Sequence, residues 1–409
     1  MPQQERTYVP TRRYDLQLKI KDKDYTSALY QLRLVSSVTA PYQIFRMNLF
    51  VDPDDIILEK LFGRDPIKLS IRLLEDIEYA TEQVDFDLMY IKGWFQIDSR
   101  KSLSTENVQK ERSTFTITAI PRNAFKTITY PVNALYSNTT IRNVIEDLVG
   151  QSGATLILDS QDINSETIDQ LLVPQTTLKK AIDYLDRRFG IFNGAGICFC
   201  SYDNKLFVKN ITSKMKMNQT FTVYQLATDV ENTDTIKKCN DGKNFYTYST
   251  IDTNSSANAK LSVEAKTERY ILTPKDQLFY TLVKDLQDVS TQYGVIYQSK
   301  KIEIDSDALS NREKTFEDPC AYETSEVFAN AKISKFVANM SAISILLERN
   351  LPILNLVNVG EAVKLNSQII EFTDLSGKYV LKASDLGFHK QRDWQTTCRL
   401  DLIRTNQTI

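Results

Sequence analysis

The chain has 409 residues, of which 42% are apolar and 25% charged, with a formal net charge of −2. That length predicts roughly two to four domains with several buried cores. The basic residues fall in isolated pairs (Arg12-Arg13, Arg187-Arg188, Lys237-Lys238, Lys300-Lys301) rather than a stripe, which argues against a tight DNA binder but not against DNA passing without being gripped.

The cysteines, Cys198, Cys200, Cys239, Cys320 and Cys398, are odd in number and lack framework spacing. They read as reduced thiols made in a reducing compartment. The segment Met1 to Arg6 is polar, so no signal peptide is expected, and no apolar run approaches a membrane span. A cytoplasmic product is expected.

Residues 1–13 form a polar arm. From Tyr14 the pattern has period two: Tyr14, Leu16, Leu18 and Ile20 on one face, Asp15, Gln17, Lys19 and Lys21 on the other. A second alternating run carries Phe45, Met47, Leu49 and Val51. Asp52-Pro53-Asp54 opens a short helical turn, Ile56 to Phe62, stopping at Gly63. Strands follow at Ile67–Leu74, Leu88–Asp98 and Thr114–Ile120, so residues 14–125 read as an antiparallel β-barrel or sandwich with a helical insertion.

After Pro131 the period changes. Thr140 caps a helix with Ile141, Val144, Ile145, Leu148 and Val149 on one face and Gly150 as its stop. A second helix starts at Thr176 or Thr177, faces inward with Leu178, Ala181, Ile182 and Leu185, and ends at Gly190. Asp183 and Arg187 form an i,i+4 pair on its solvent side. A hairpin, Gly196–Tyr202 and Lys205–Ile211, turns at Asp203-Asn204.

Strand character resumes at Asn244–Ser249, and Asp252–Lys260 reads as a flexible loop. Thr273-Pro274 opens a third helix with Leu278, Leu282, Val283, Leu286 and Val289 inward, ended by Gly294. A fourth helix is predicted from about Tyr322 to Ala331. Alternating strands return at Ile333–Leu347, Leu354–Val359, Glu361–Leu365, Tyr379–Leu386 and Thr396–Arg404. The expected organisation is a first β-domain over 1–127, an inserted α/β domain over 128–222, the start of a second β-domain over 223–250, a helical insertion over 251–332 and the rest of the second β-domain over 333–409.

A three-block pattern occurs twice in the same order. The first copy is Gly63, Ile67–Ser70, Gly93–Ile97 and Phe115–Arg122; the second is Gly360, Val363–Asn366, Gly377–Leu381 and Cys398–Arg404. Repetition of one strand-turn-strand unit points to two versions of one β-domain, although generic amphipathic strands produce part of the likeness.

No catalytic motif emerges. His389, the single histidine, sits in an alternating strand and reads as a structural or surface residue. With one histidine and no paired CxxC, no zinc site is expected; Cys198 and Cys200 share a strand face and read as packing thiols rather than half of a soft-metal site. The carboxylates Asp54-Asp55, Glu75-Asp76-Glu78 and Asp85/Asp87 are candidates for a hydrolase pair, but they lie beside turns or on polar strand faces where solvation explains them. The expectation is no catalytic residue, no cofactor and no metal.

Asn350–Leu354, Val359–Leu365, Gly377–Val380, Leu386–His389 and Thr396–Leu400, in that order, resemble the closing segment of phage tail hub proteins, the baseplate hubs of T-even phages and their relatives in contractile injection systems. Gly93–Ser99 and Ser113–Arg122 resemble the matching part of that family's first barrel, and Gln175–Asp186 with Phe189–Ile191 the helix of its inserted domain. Each motif is short; the ordered combination carries the likeness. The resemblance implies an α+β, mainly β fold with two tube-like antiparallel β-barrel domains and inserted α/β and helical segments. It also implies a homotrimeric, non-enzymatic baseplate hub in the virion tail, joining a six-fold tail tube to a three-fold spike and passing DNA through its lumen without specific binding. Implied partners are a spike protein (separate, because the chain stops at Ile409), a tail tube or tube-initiator protein, the tape measure protein and baseplate wedge proteins. A cell-wall hydrolase or a host-surface carbohydrate-binding module is the alternative.

Overall fold

The computed structural model describes residues 12–38, 40–51, 55–63, 65–75, 79–96, 113–160, 163–165, 167–192, 196–211, 220–227, 239, 243–249, 251–253, 266–272, 279–285, 340–348, 359–369 and 374–405. The first stretch holds β1 (Arg12–Ile20), β2 (Lys23–Asp24), β3 (Leu29–Ser37), β4 (Ile44–Val51), α1 (Ile56–Glu59), β5 (Pro66–Glu75), β6 (Tyr79–Gln96) and β7 (Ser113–Pro121). Alternation decides which face is buried: Tyr14, Leu16, Leu18 and Ile20 in β1, and Phe45, Met47, Leu49 and Val51 in β4, all enter one core. β3 has no counterpart in the sequence reading. Its buried residues Leu29, Leu32 and Leu34 break period two because a bulge lies between Leu29 and Gln31. α1 is a single turn, shorter than the helix expected to reach Phe62.

A second core gathers α2 (Arg122–Ile128), β8 (Pro131–Thr140), α3 (Ile141–Ser152), β9 (Thr155–Leu158), β10 (Thr167–Thr177), α4 (Leu178–Phe189), β11 (Gly196–Cys200) and β12 (Lys205–Asn210). Thr140 caps α3 as expected, accepting from the Asn143 N–H. The helix runs past Gly150 and stops at Gly153, whose φ of 72° suits glycine. On α4, Asp183 forms an ion pair with Lys179; the Arg187 side chain lies outside the described set.

The remaining strands are β13 (Phe221–Gln225), β14 (Asn244–Thr247), β15 (Asp252–Thr253), β16 (Lys266–Leu272), β17 (Phe279–Asp285), β18 (Met340–Glu348), β19 (Ala362–Ser367), β20 (Gly377–Lys390) and β21 (Trp394–Thr405). The helix expected to begin at Thr273-Pro274 is corrected. Phe279–Asp285 is a strand paired antiparallel with Lys266–Leu272. The run Phe-Tyr-Thr-Leu-Val satisfies both periods, and its aromatic and β-branched residues favour the ribbon. Asp252–Thr253, expected in a loop, pairs with Ser344 and Ile343. The helix predicted at 322–331 and residues 354–358 of the strand predicted at Leu354–Val359 lie outside the described residues; Val359 itself is in a turn.

The chain is α+β and mainly β. Among the described residues, one 14-stranded sheet has the order β14-β13-β19-β20-β3-β4-β7-β6-β5-β1-β21-β18-β15, with β2 paired to β1 off this path and β20 also paired to β21. These pairings close a circuit β3-β4-β7-β6-β5-β1-β21-β20. The two halves of the sheet have corresponding neighbours. In the first, β5-β6-β7 is an antiparallel meander flanked by β1 and β4; in the second, β19-β20-β21 is one flanked by β13 and β18. Gly63 and Gly360 sit in the turn before each meander. The correspondence fails at the first strand: β1 runs antiparallel to β5 and meets β21 on its other edge, whereas β13 runs parallel to β19 and pairs with β14 on its other edge.

Candidate functional site

The residues with possible chemistry are separated. His389 is exposed on β20, in register with Gln31 and Gln395. Cys198 and Cys200 are buried in the second core, and burial pushes both thiols up to about 12. Asp55 accepts from Lys23 Nζ at 2.7 Å and from the Tyr25 hydroxyl at 3.0 Å. Burial raises that carboxyl, but those two partners outweigh it and hold it below its usual range. Asp85 accepts from Gln83 at 3.0 Å, and Asp87 lies 3.3 Å from Arg122. Asp54, Asp76 and Glu78, and the Glu75 side chain, lie outside the described set. Among the described residues no group of three or more His, Cys, Asp or Glu is arranged to hold a metal, and no helix is long and apolar enough to cross a membrane.

The surface features are more informative. Each half carries a long hairpin that outruns its own meander. β19 engages β20 only over Gly377–Val380. Farther along, Ala383–His389 pairs with Gln31–Ser37 of β3, and Trp394 faces Tyr14 of β1. This tip is seated on the first half. Phe388 meets Tyr14 edge-to-face at 5.3 Å, Arg33 forms an ion pair with Asp385, and Trp394 is only 7% exposed. Lys390 Nζ lies 5.6 Å above the Trp394 ring.

β6 likewise runs past its neighbour. β5 engages it over Tyr79–Met89, and beyond that point, among the described residues, β6 pairs only with β7. A bulge between Tyr90 and Lys92 leaves Ile91 half exposed, and Trp94 is 47% exposed with Lys92 Nζ at 5.9 Å from its ring. Gly93 permits the close approach of Phe115, whose Cζ would lie 2.7 Å from an added Cβ. Phe50, also half exposed, stacks on Tyr30 at 3.9 Å and shares the outer face with Trp94 through the register Trp94–Thr116–Asn48. Two further exposed apolar spots are Leu135 opposite Leu172 on the β8–β10 ribbon, and Tyr248 with Leu346 where the chain passes from β14 to β15.

The α/β unit is tied to the second half by a buried cation. Lys209 forms an ion pair with Glu361, donates to the Val359 carbonyl at 3.3 Å, and lies over the Phe207 and Phe199 rings at 4.6 and 5.6 Å. Thr220 donates to the same carboxylate at 2.7 Å. Gly360 has φ 76°, and an added Cβ would stand 2.6 Å from Ile197 Cδ1.

Comparison with solved structures matches this architecture along nearly its whole length. The 43 kDa tail protein of prophage MuSo2 from Shewanella oneidensis superposes with a TM-score of 0.55 at 9% identity, covering 96% of this chain and 98% of that one. A tail protein from Neisseria meningitidis MC58 superposes with a TM-score of 0.52 at 11% identity, covering 96% and 97%. The chain has the fold of phage tail proteins. Residues 87–237 also match the family model of bacteriophage PBS1 gene 109 protein. No curated protein matches the sequence. The matched span begins within β6 and ends after β13, so it takes in the exposed Trp94 arm and the whole α/β unit. Trp94 was visible beforehand as part of the repeated block Gly93–Ile97. Tyr30 lies in β3, which escapes the alternation pattern, and Phe50 lies on the outward face of the strand marked by Phe45, Met47, Leu49 and Val51.

Proposed function

We propose that this chain is the structural hub of a phage tail baseplate. Three copies, each carrying two similar β-halves, form a ring of six similar units that joins a six-fold tail tube to a three-fold spike. DNA passes through the ring without base-specific contacts, consistent with the near-neutral chain and its scattered basic pairs. The role is architectural rather than catalytic. Expected partners are two further copies of the chain, a spike protein, a tail tube or tube-initiator protein, the tape measure protein and the baseplate wedge, all in the virion tail.

One observation carries this reading: the strand order β1-β5-β6-β7-β4 recurs as β13-β19-β20-β21-β18 in a fold shared with phage tail proteins. Two similar units per chain let a three-fold assembly present six similar surfaces, and pairing between units satisfies strand edges that would otherwise invite aggregation. Light scattering on the purified chain tests it. A mass of three chains, with six-lobed rings in electron micrographs, is the expected result; a monomer at high concentration overturns it.

A further inference from the structure

We propose that the outer face of the first half, across β3, β4, β7 and β6, binds an acidic glycan, a polysaccharide carrying carboxylate or phosphate groups.

Strand register sets this face out as a grid. One row runs Trp94–Thr116–Asn48–Gln31 across the four strands. Two residues along β4 on one side is Phe50, opposite Thr114 and stacked on Tyr30 at 3.9 Å. Two residues along on the other side is the row Lys92–Thr118–Arg46–Arg33. At ordinary strand spacing the grid is about 14 Å on a side.

The rows carry different chemistry. Phe50 and Trp94 are 48% and 47% exposed, so each offers ring surface to the apolar C–H face of a sugar. Between them Asn48 Nδ2 donates to Gln31 Oε1 at 2.7 Å, which leaves Asn48 Oδ1 as an acceptor and Gln31 Nε2 as a donor for sugar hydroxyls. In the third row Arg33 pairs with Asp385, whereas the exposed Arg46 and Lys92 form no ion pair among the described residues. The Lys92 ammonium lies 5.9 Å from the Trp94 ring, which places a cation beside the stacking surface. Rings that carry the ligand, and a few polar groups that orient it, are the usual make-up of a small-molecule site.

A protein partner fits less well. Thr116 and Asn48 separate the two rings, so the apolar surface is broken rather than continuous, and the cores of protein interfaces are depleted of charge. A single strand of nucleic acid would use the rings but also needs a track of cations along its phosphates; two unneutralised cations in one row supply little of that affinity.

The test uses the full chain in native gels containing hyaluronan, alginate or poly(glycerol phosphate) teichoic acid, with dextran as the neutral counterpart. At least one acidic polymer should retard the chain, and dextran should do so far less. Trp94→Ala and Arg46→Gln alter exposed side chains, so each should keep the wild-type circular dichroism and raise the dissociation constant at least about tenfold. Leu172→Ser, on the exposed face of the β8–β10 ribbon, should change nothing. In a Trp394→Phe variant Trp94 is the only tryptophan, and its emission should respond to the polymer that retards the wild type. The proposal is overturned if no acidic polymer retards the chain, if retardation survives both substitutions, or if oligothymidylate binds more tightly than the polysaccharides. It is also overturned if acrylamide quenching shows Trp94 becoming covered as the chain self-assembles, which would give the face to a neighbouring copy. The hub reading is judged separately, by the mass from light scattering.

Discussion

Replacing Lys209 with methionine removes one charge from an otherwise enclosed contact. The side chain is 3% exposed and its partner Glu361 20% exposed. Methionine keeps most of the stem packed against the stacked Phe199 and Phe207 rings but deletes the ion pair, the bond to the Val359 carbonyl and the cation above two rings. Breaking a buried pair from one side costs about 3–5 kcal/mol, because the surviving charge is left without its counterpart. Glu361 keeps the Thr220 hydroxyl and some solvent, which places Lys209→Met near the lower end, about 3 kcal/mol. Adding Glu361→Gln removes the orphaned charge. The double variant should then lie within about 1 kcal/mol of the wild type, since exchanging a whole buried pair for neutral groups is often nearly neutral. Urea unfolding of the wild type, both single variants and the double variant forms a double-mutant cycle with an expected coupling of at least about 2 kcal/mol, larger by whatever Glu361→Gln alone costs in leaving Lys209 unpaired. Additive effects, or a Lys209→Met chain as stable as the wild type, would refute the claim that this pair holds the α/β unit to the second half.

Gly360→Ala should destabilise the chain by about 2 kcal/mol in the same assay, from the positive φ together with the contact on Ile197 Cδ1. Pairing it with Ile197→Val, which deletes that methyl, should recover only the steric share. Thr140→Ala should cost about 0.5–1 kcal/mol through loss of the α3 cap, read as a drop in urea midpoint. Thiol labelling of the folded protein at pH 8 followed by peptide mapping should spare Cys198, Cys200 and Cys398, whose thiols burial pushes up, and mark them only after unfolding. Because the folded Asp55 carboxyl lies below its usual range, its ionised form stabilises the fold above that range, and this contribution disappears as pH falls through the depressed value. The stability gap between wild type and Asp55→Asn should therefore be full at neutral pH and close in acid; a gap that widens in acid would show the sign to be wrong.

Much of the local structure was legible because each strand must bury one face. Tyr14 to Ile20, Phe45 to Val51, and the helices starting after Thr140 and Thr177 follow directly from apolar spacing. The pattern failed where a bulge or a short run blurred the period. β3 was hidden by the extra residue between Leu29 and Gln31, and Phe279–Asp285 read as helix because the short run Phe-Tyr-Thr-Leu-Val fits either period.

By itself the sequence determined the inward faces of β1 and β4 and the N-terminal cap of α3 at Thr140, and it pointed to one three-strand unit written twice. Only the tertiary structure decided that the second copy's hairpin crosses to complete the first half's circuit, joining Arg33 to Asp385 across 352 residues of chain, and that β13 runs parallel where β1 runs antiparallel. The physical reason is that alternation specifies a face, while the choice of neighbouring strand and its direction depends on long-range backbone pairing that leaves no period in the residues.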